Sequence, residues 1–126
     1  MNPGHHQSEV RRMLEDCGAL ITDDHFVYAS GEHGPGWIAK DIVNMDPERP
    51  RALGAMLAEA VREQGIEVDV VCGPAVGGVI CAQYTALAMG VDCVFAERGS
   101  VDGVEQFELR RRYDEAVAGR RVLVVD

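Results

Sequence analysis

Several things are scarce in this sequence, and each shortage excludes something. There is one lysine among 126 residues. The four cysteines (Cys17, Cys72, Cys81 and Cys93) show no CxxC spacing and lie inside apolar segments. They read as small buried hydrophobes of a reducing compartment, not as a zinc site or disulfide frame. No apolar run nears the roughly 20 residues that cross a bilayer. Residues 1–12 are polar and lack the apolar stretch of a signal peptide. The expectation is a cytoplasmic chain with no membrane partner. Positive charge is short as well: Lys plus Arg is 12 against Asp plus Glu 21, a net of −9. That balance repels phosphate backbones and excludes general nucleic-acid binding. No internal repeat or low-complexity stretch is present.

What is there suffices for a core. Hydrophobic residues make up 47% of the chain, so disorder is excluded for most of it and one domain over 1–126 is expected. The positive charge is unevenly spread. Residues 1–96 carry 6 basic and 14 acidic residues, while 97–126 carry Arg98, Arg110, Arg111, Arg112, Arg120 and Arg121 against 7 acids. Taken singly these are ordinary surface arginines; gathered, they could hold a small anion. His5 and His6 read as part of an exposed polar terminus.

Periodicity supplies the elements. Val10, Met13, Leu14 and Cys17 form the stripe of an amphipathic helix, with Ser8 as N-cap and Gly18 as the stop. Phe26–Tyr28 and Trp37–Ile38 are β-prone runs around a glycine-rich loop, which predicts a hairpin. Asp46-Pro47 opens a second helix, over 47–64, whose stripe is Leu53, Met56, Leu57, Ala60 and Val61. Val68–Cys72 suits a buried parallel strand, and Val79–Met89 is apolar nearly all round, the pattern of a fully buried helix. A strand at 91–96, a polar loop at 99–106 and a strand at 107–109 follow. Val122–Val125 reads as the central strand. The order predicts an α/β, doubly wound, mostly parallel sheet, with residues 1–45 as an N-terminal helix and hairpin and 46–126 as the core.

Chemistry in such sheets sits beyond the carboxyl ends of the strands. Gly73, Pro74, Ala75, Val76, Gly77 and Gly78 form a turn between a strand and a helix. Glycines there let a backbone approach an anion, and the helix start offers N–H groups. The turn matches neither GxGxxG nor a P-loop, and alone it is more often structural. Asp126 ends the last strand, where a carboxylate can take ribose hydroxyls or a metal, or simply face water.

Five ordered segments together carry more than any one. "HFVYASGEHGPGWIAKD" (25–41), "VDVVCGPAVGGVICAQYTALAMG" (68–90), "VFAERG" (94–99), "FELRR" (107–111) and "GRRVLVVD" (119–126) resemble the bacterial orotate phosphoribosyltransferases of the type I phosphoribosyltransferase superfamily. The resemblance implies transfer of phosphoribosyl from phosphoribosyl pyrophosphate to orotate, giving orotidine monophosphate and pyrophosphate in pyrimidine biosynthesis, with Mg²⁺ as cofactor and a homodimer as the assembly. It implies that Gly73–Gly78 binds pyrophosphate and that Arg98–Glu108 is a mobile catalytic loop reaching a partner's site. Arg98, Arg110 and Arg111 would be cationic contributors. The hairpin becomes a hood over the base, with Trp37 and Ile38 as an apolar wall and Lys40 nearby. Asp126 becomes the first acid of the phosphoribosyl pyrophosphate signature, catalytic and metal-binding. The family's 5′-phosphate loop has no counterpart in this sequence, so the reading expects a piece of a longer enzyme, or an inactive chain. Two rival readings stand beside it: transfer to another base, and a non-catalytic phosphoribosyltransferase-like binding module.

Overall fold

The computed structural model describes residues 3–126, which divide into a unit ending at Arg49 and a unit from Pro50 to Asp126. In the first unit, α1 (Pro3–Asp16) buries Leu14 and half-buries Val10 and Met13, and Cys17 just past its end is half-buried too, which completes the predicted stripe. Gly18 ends it at φ +76°, its N–H donating to the Glu15 carbonyl at 3.1 Å. Ser8 does not cap. The helix starts before it, taking in His5 and His6, and the Ser8 hydroxyl donates to the Gly4 carbonyl one turn back at 3.0 Å.

The predicted hairpin is replaced by two other pairings. Strand β1 (Leu20–Ile21) pairs antiparallel with β4 (Trp37–Ile38), and β2 (Phe26–Val27) pairs with β3 (His33–Gly34). The Tyr28 N–H donates to the Glu32 carbonyl at 2.9 Å, closing a tight turn through Gly31 at φ +87°. A short closure costs less chain entropy than the long one expected between 28 and 37, so Phe26 meets Gly34 and Trp37 goes on to Ile21. A helix absent from the sequence reading, α2 (Lys40–Met45), follows.

Helix α3 (Glu48–Glu63) starts where Asp46 Oδ1 accepts the Glu48 N–H at 3.1 Å, close to the predicted opening. Its fully buried positions are not the predicted stripe but Pro50, Gly54 and Ala58, one every four residues. A side chain at Gly54 would stand 2.6 Å from the Tyr84 backbone, so small residues here let two helices touch backbone to backbone. Leu57 is left partly exposed.

The second unit is built on β5 (Val70–Pro74), α4 (Gly77–Met89), β6 (Asp92–Val101), β7 (Val104–Glu108), α5 (Tyr113–Val117) and β8 (Val122–Val124). The strand order is β7-β6-β5-β8, with β5 parallel to both β6 and β8, as the βαβ logic predicts. Val71, Ala82, Ala86 and Val125 form the core on the α4 side; Val70, Cys72 and Val94 form it on the other, with Leu109, Tyr113 and Val117. The sheet is thus covered on both faces, the doubly wound plan.

Four expectations are corrected here. The interior strands are β6 and β5, and 122–125 is not among them: β8 lies at an edge, where Val124 is 67% exposed. An apolar run reports burial of faces, and it does not report position in the sheet. Helix α4 is not fully buried, since Leu87 is 70% exposed while Ala82, Thr85 and Ala86 face inward. Residues 73 and 74 belong to β5, pairing with Phe95 and Ala96, so the turn is shorter than drawn. Residues 99–106 are not a loop but the tip of a β6–β7 ribbon closed by Asp102 (φ 51°) and Gly103 (φ 79°). That dipeptide between valines is a strong hairpin signal in its own right. Helix α5 was also unforeseen, being too short for a periodic stripe to show.

Val71 offers a direct test of this packing. It has no solvent contact, so Val71→Ala removes buried carbon with nothing to fill the gap. The expected cost is about 2 kcal/mol, or a Tm lower by roughly 5–10 °C, read by thermal melting. A shift under about 1 °C would contradict the core as described.

Candidate active site

Strand β5 leads through α4 to β6 on one side, and the chain later returns to place β8 on the other side. The carboxyl ends of β5 and β8 therefore flank the point where the winding reverses. Ligands in open α/β sheets bind at such a point. The residues delivered there are Pro74–Gly78 from β5 and Asp126 from β8.

Close packing assembles the turn. The Ala75 N–H donates to the Ala96 carbonyl at 2.7 Å, and the Ala75–Val76 peptide is cis. Gly73 lies against the Gly78 backbone and the Ala82 methyl, with no room for a side chain. A side chain at Gly78 would stand 2.5 Å from Pro74 Cδ and 2.9 Å from the Val125 carbonyl oxygen. Val125 in turn donates its N–H to the Cys72 carbonyl at 3.0 Å, which brings Asp126 beside the start of α4. Two glycines are thus demanded by sterics. Val76 is 87% exposed at the crest, and Asp126 is exposed too. At the opposite, amino end of the sheet, the Asp69 carboxylate accepts the Arg121 N–H at 2.8 Å and its guanidinium at 3.1 Å, which locks the β5–β8 register.

The arginines gather further out. Arg98 lies on β6 two residues beyond Ala96, roughly 6–7 Å along the strand. Its guanidinium sits 5.8 Å from the ring centre of Phe107, its cross-strand neighbour. Arg110 donates to Glu108 Oε2 at 3.0 Å and reaches the Arg98 carbonyl at 3.4 Å. Arg111 binds both oxygens of Glu97 at 3.3 Å and lies 5.3 Å from the Phe95 ring. The three cations thus lie together on the ribbon, and two of them are charge-paired with carboxylates. Glu97 and Glu108, opposite each other in the ladder, were not singled out in the sequence; Arg110, two residues after Glu108, and Arg111, fourteen after Glu97, are their partners.

Trp37, Ile38 and Lys40 belong to the N-terminal unit. Trp37 and Ile38 are about half exposed on β4. The Trp37 ring lies 6.2 Å from Tyr28 at 17° and 6.1 Å from Phe26 at 27°, a flat aromatic group that the Tyr28 hydroxyl pins by donating to the Gly36 carbonyl at 2.6 Å. Lys40 opens α2. The cysteines are free thiols. Burial pushes Cys72 up, and burial with the neighbouring Cys72 does the same to Cys93, so both stay protonated and are poor nucleophiles. No helix among the described residues is long and apolar enough to cross a membrane.

No protein-family model matches the chain. Curated relatives do. An orotate phosphoribosyltransferase of a Nitratiruptor species is 36% identical over 118 residues, 94% of this chain and 55% of the relative. Among solved structures, an orotate phosphoribosyltransferase from Aeropyrum pernix superposes with a TM-score of 0.63 at 23% identity, covering 93% of this chain and 63% of that one. An adenine phosphoribosyltransferase from Thermoanaerobacter pseudethanolicus gives 0.64 at 20% identity, covering 95% and 68%. At those identities the structures speak for the fold, and the fold does not choose the base. The chain spans about half the length of the curated relatives it matches. Over about nine-tenths of its length the chain is thus similar, at 32–38% identity, to curated orotate phosphoribosyltransferases, and its doubly wound sheet carries a glycine turn at the switch point.

Proposed function

We propose that this chain supplies the pyrophosphate-binding turn and the base hood of an enzyme that transfers phosphoribosyl from phosphoribosyl pyrophosphate to orotate. N1 of orotate bonds to the ribose C1′, the bond from C1′ to the pyrophosphate oxygen breaks, and pyrophosphate leaves with the electron pair. The observation that carries most weight is the glycine turn at the switch point, in a chain of which 94% aligns with about half the length of an orotate phosphoribosyltransferase.

Each group has a part. N–H groups of Gly77 and Gly78, in the first turn of α4, lack partners within the helix and suit the leaving phosphates. Gly73 and Gly78 keep the turn narrow, and Pro74, Ala75 and Val76 shape its crest. Arg98, Arg110 and Arg111 add positive charge at the rim, where a planar fork matches a phosphate better than an ammonium does. Trp37 and Ile38 offer a flat apolar wall for a pyrimidine, with Lys40 near to meet its carboxylate. Asp126 is an exposed hard-oxygen donor beside the turn, which fits Mg²⁺, an ion commonly held by one or two carboxylates plus substrate phosphates. When bound, that ion neutralises charge growing on the leaving group. Exposed Val101, Val104 and Phe107 on the β6–β7 ribbon suit a second copy, as a homodimer requires. The free thiols suit the cytoplasm.

The base assignment is tested on the chain joined to the part of a relative that it does not match. Pyrophosphate release is measured against orotate, uracil, adenine, guanine and hypoxanthine. Orotate should lead the others by at least about a hundredfold, since a site built to hydrogen-bond a polar group strongly rejects analogues lacking it. Preference for a purine would move the chain to the rival base reading. Binding of phosphoribosyl pyrophosphate without turnover of any base would favour the non-catalytic module.

A further inference from the structure

One pair of side chains in the N-terminal unit has no part in the proposed reaction. His25 immediately precedes β2 and His33 opens β3. The ladder places Val27 opposite His33 and Phe26 opposite Gly34, so the two imidazoles project as diagonal neighbours across the ribbon. His25 Nε2 and His33 Nδ1 are 2.9 Å apart, with ring centres at 4.9 Å and planes at 80°. Both side chains are exposed. The backbone beneath them is tied on both sides, by the Asp24 N–H to the Pro35 carbonyl at 3.3 Å and the Tyr28 N–H to the Glu32 carbonyl at 2.9 Å.

We infer that His25 and His33 form a two-imidazole clasp for a divalent transition-metal ion. Two bonds of about 2.0–2.1 Å from one ion, spread at 90–109°, set their nitrogens roughly 2.9–3.4 Å apart. The observed spacing falls in that window without moving the backbone. Imidazole suits zinc, copper and nickel and is a poor ligand for magnesium, so the site takes a different class of ion from the one proposed at Asp126. An acid stands beside the pair: Asp24 Oδ1 accepts the His25 backbone N–H at 2.7 Å, and negative charge there favours a cation. Without metal, one ring donates its N–H to the other. On binding, that ring shifts its proton to its other nitrogen through water, both rings stay neutral, and each gives a lone pair to the ion. Water fills the remaining positions. The bound ion bridges both strands of the ribbon and so tightens the β2–β3 pairing.

Zinc titrated into the full chain by calorimetry, beside amide hydrogen exchange, tests this without reference to catalysis. One saturable Zn²⁺ per chain is expected, with slower exchange at the Tyr28 and Asp24 amides. His25→Asn and His33→Asn should each weaken binding by about tenfold or more, at least what loss of a supporting group costs a metal site. A second variant, His5→Asn with His6→Asn, controls for the terminal histidines, since His5 lies 3.5 Å from Glu9 one turn on. It should leave the affinity unchanged. Circular dichroism checks that every variant keeps its fold. Binding that survives both His25→Asn and His33→Asn, or that disappears only in the terminal double variant, overturns the clasp. So does the absence of saturation up to millimolar zinc.

Discussion

The 126-residue chain by itself should make no measurable orotidine monophosphate, while the same chain joined to the unmatched part of a relative should turn over readily. The expected gap is large for a physical reason. Displacement at C1′ needs pyrophosphate, ribose, 5′-phosphate and base held in one register. Orientation of that kind lowers a barrier by on the order of 7–11 kcal/mol in favourable cases, which corresponds to about 10⁵–10⁸ in rate. The chain has candidate groups at the pyrophosphate end, in Gly73–Gly78 and Asp126, and at the base, in Trp37, Ile38 and Lys40. Its residues include no Thr/Gly-rich phosphate loop. Orotate consumption and pyrophosphate release, followed with Mg²⁺ present, give the answer directly. Turnover by the chain alone within about tenfold of the joined protein would refute the placement of the 5′-phosphate site elsewhere. A joined protein that folds and yet makes no product would reject the orotate assignment.

Gly78→Ala should hit fold and site together. The added methyl meets Pro74 Cδ at 2.5 Å and the Val125 carbonyl at 2.9 Å. Neither neighbour yields easily: Pro74 ends β5 as a rigid ring, and Val125 is buried with its N–H bound to Cys72. Overpacking of this kind costs about 1–3 kcal/mol. It also pushes the start of α4 away from β8 and so separates the N–H groups of Gly77 and Gly78 from Asp126. A fall in Tm of roughly 4–12 °C and a loss of about tenfold or more in pyrophosphate affinity with Mg²⁺ are expected, the latter matching about 1.4 kcal/mol. Gln83→Ala, exposed on the same helix, should stay within about 0.5 kcal/mol of the parent. If Gly78→Ala melts and binds like the parent, the turn does not pack against the end of β8 as described.

Both expectations turn on residues that local reading found and on contacts it could not. Gly73–Gly78 was legible because a glycine cluster between an apolar β-branched run and an apolar helical run has few structural meanings. Its narrowing to a turn of two residues was not, because Gly73 and Pro74 are turn-formers by composition. They join β5 only when β6 arrives alongside to pair with them. The hood shows the same limit. Phe26–Tyr28 and Trp37–Ile38 were rightly read as β-prone, but their partners are set by the turn that closes at Tyr28–Glu32 and by Leu20–Ile21, a run too short to stand out. The β6–β7 ribbon was missed for another reason. Gly99–Gln106 is polar, and the Asp102-Gly103 turn that closes it was outweighed by composition.

From the sequence alone came the kinds of element in the core, their parallel relation and the two strand ends where chemistry could sit. These follow from patterns of period two and 3.6 and from the short apolar runs of doubly covered strands, all of which lie within a few consecutive residues. Tertiary structure alone decided that β5 is interior and β8 an edge, that Pro50, Gly54 and Ala58 form the buried seam of α3, and that Asp126 stands beside Gly78. Each of these depends on which distant segment arrives as a neighbour. A run of valines buries its faces equally well at either place in the sheet, and a glycine shows its necessity only once another backbone lies against it.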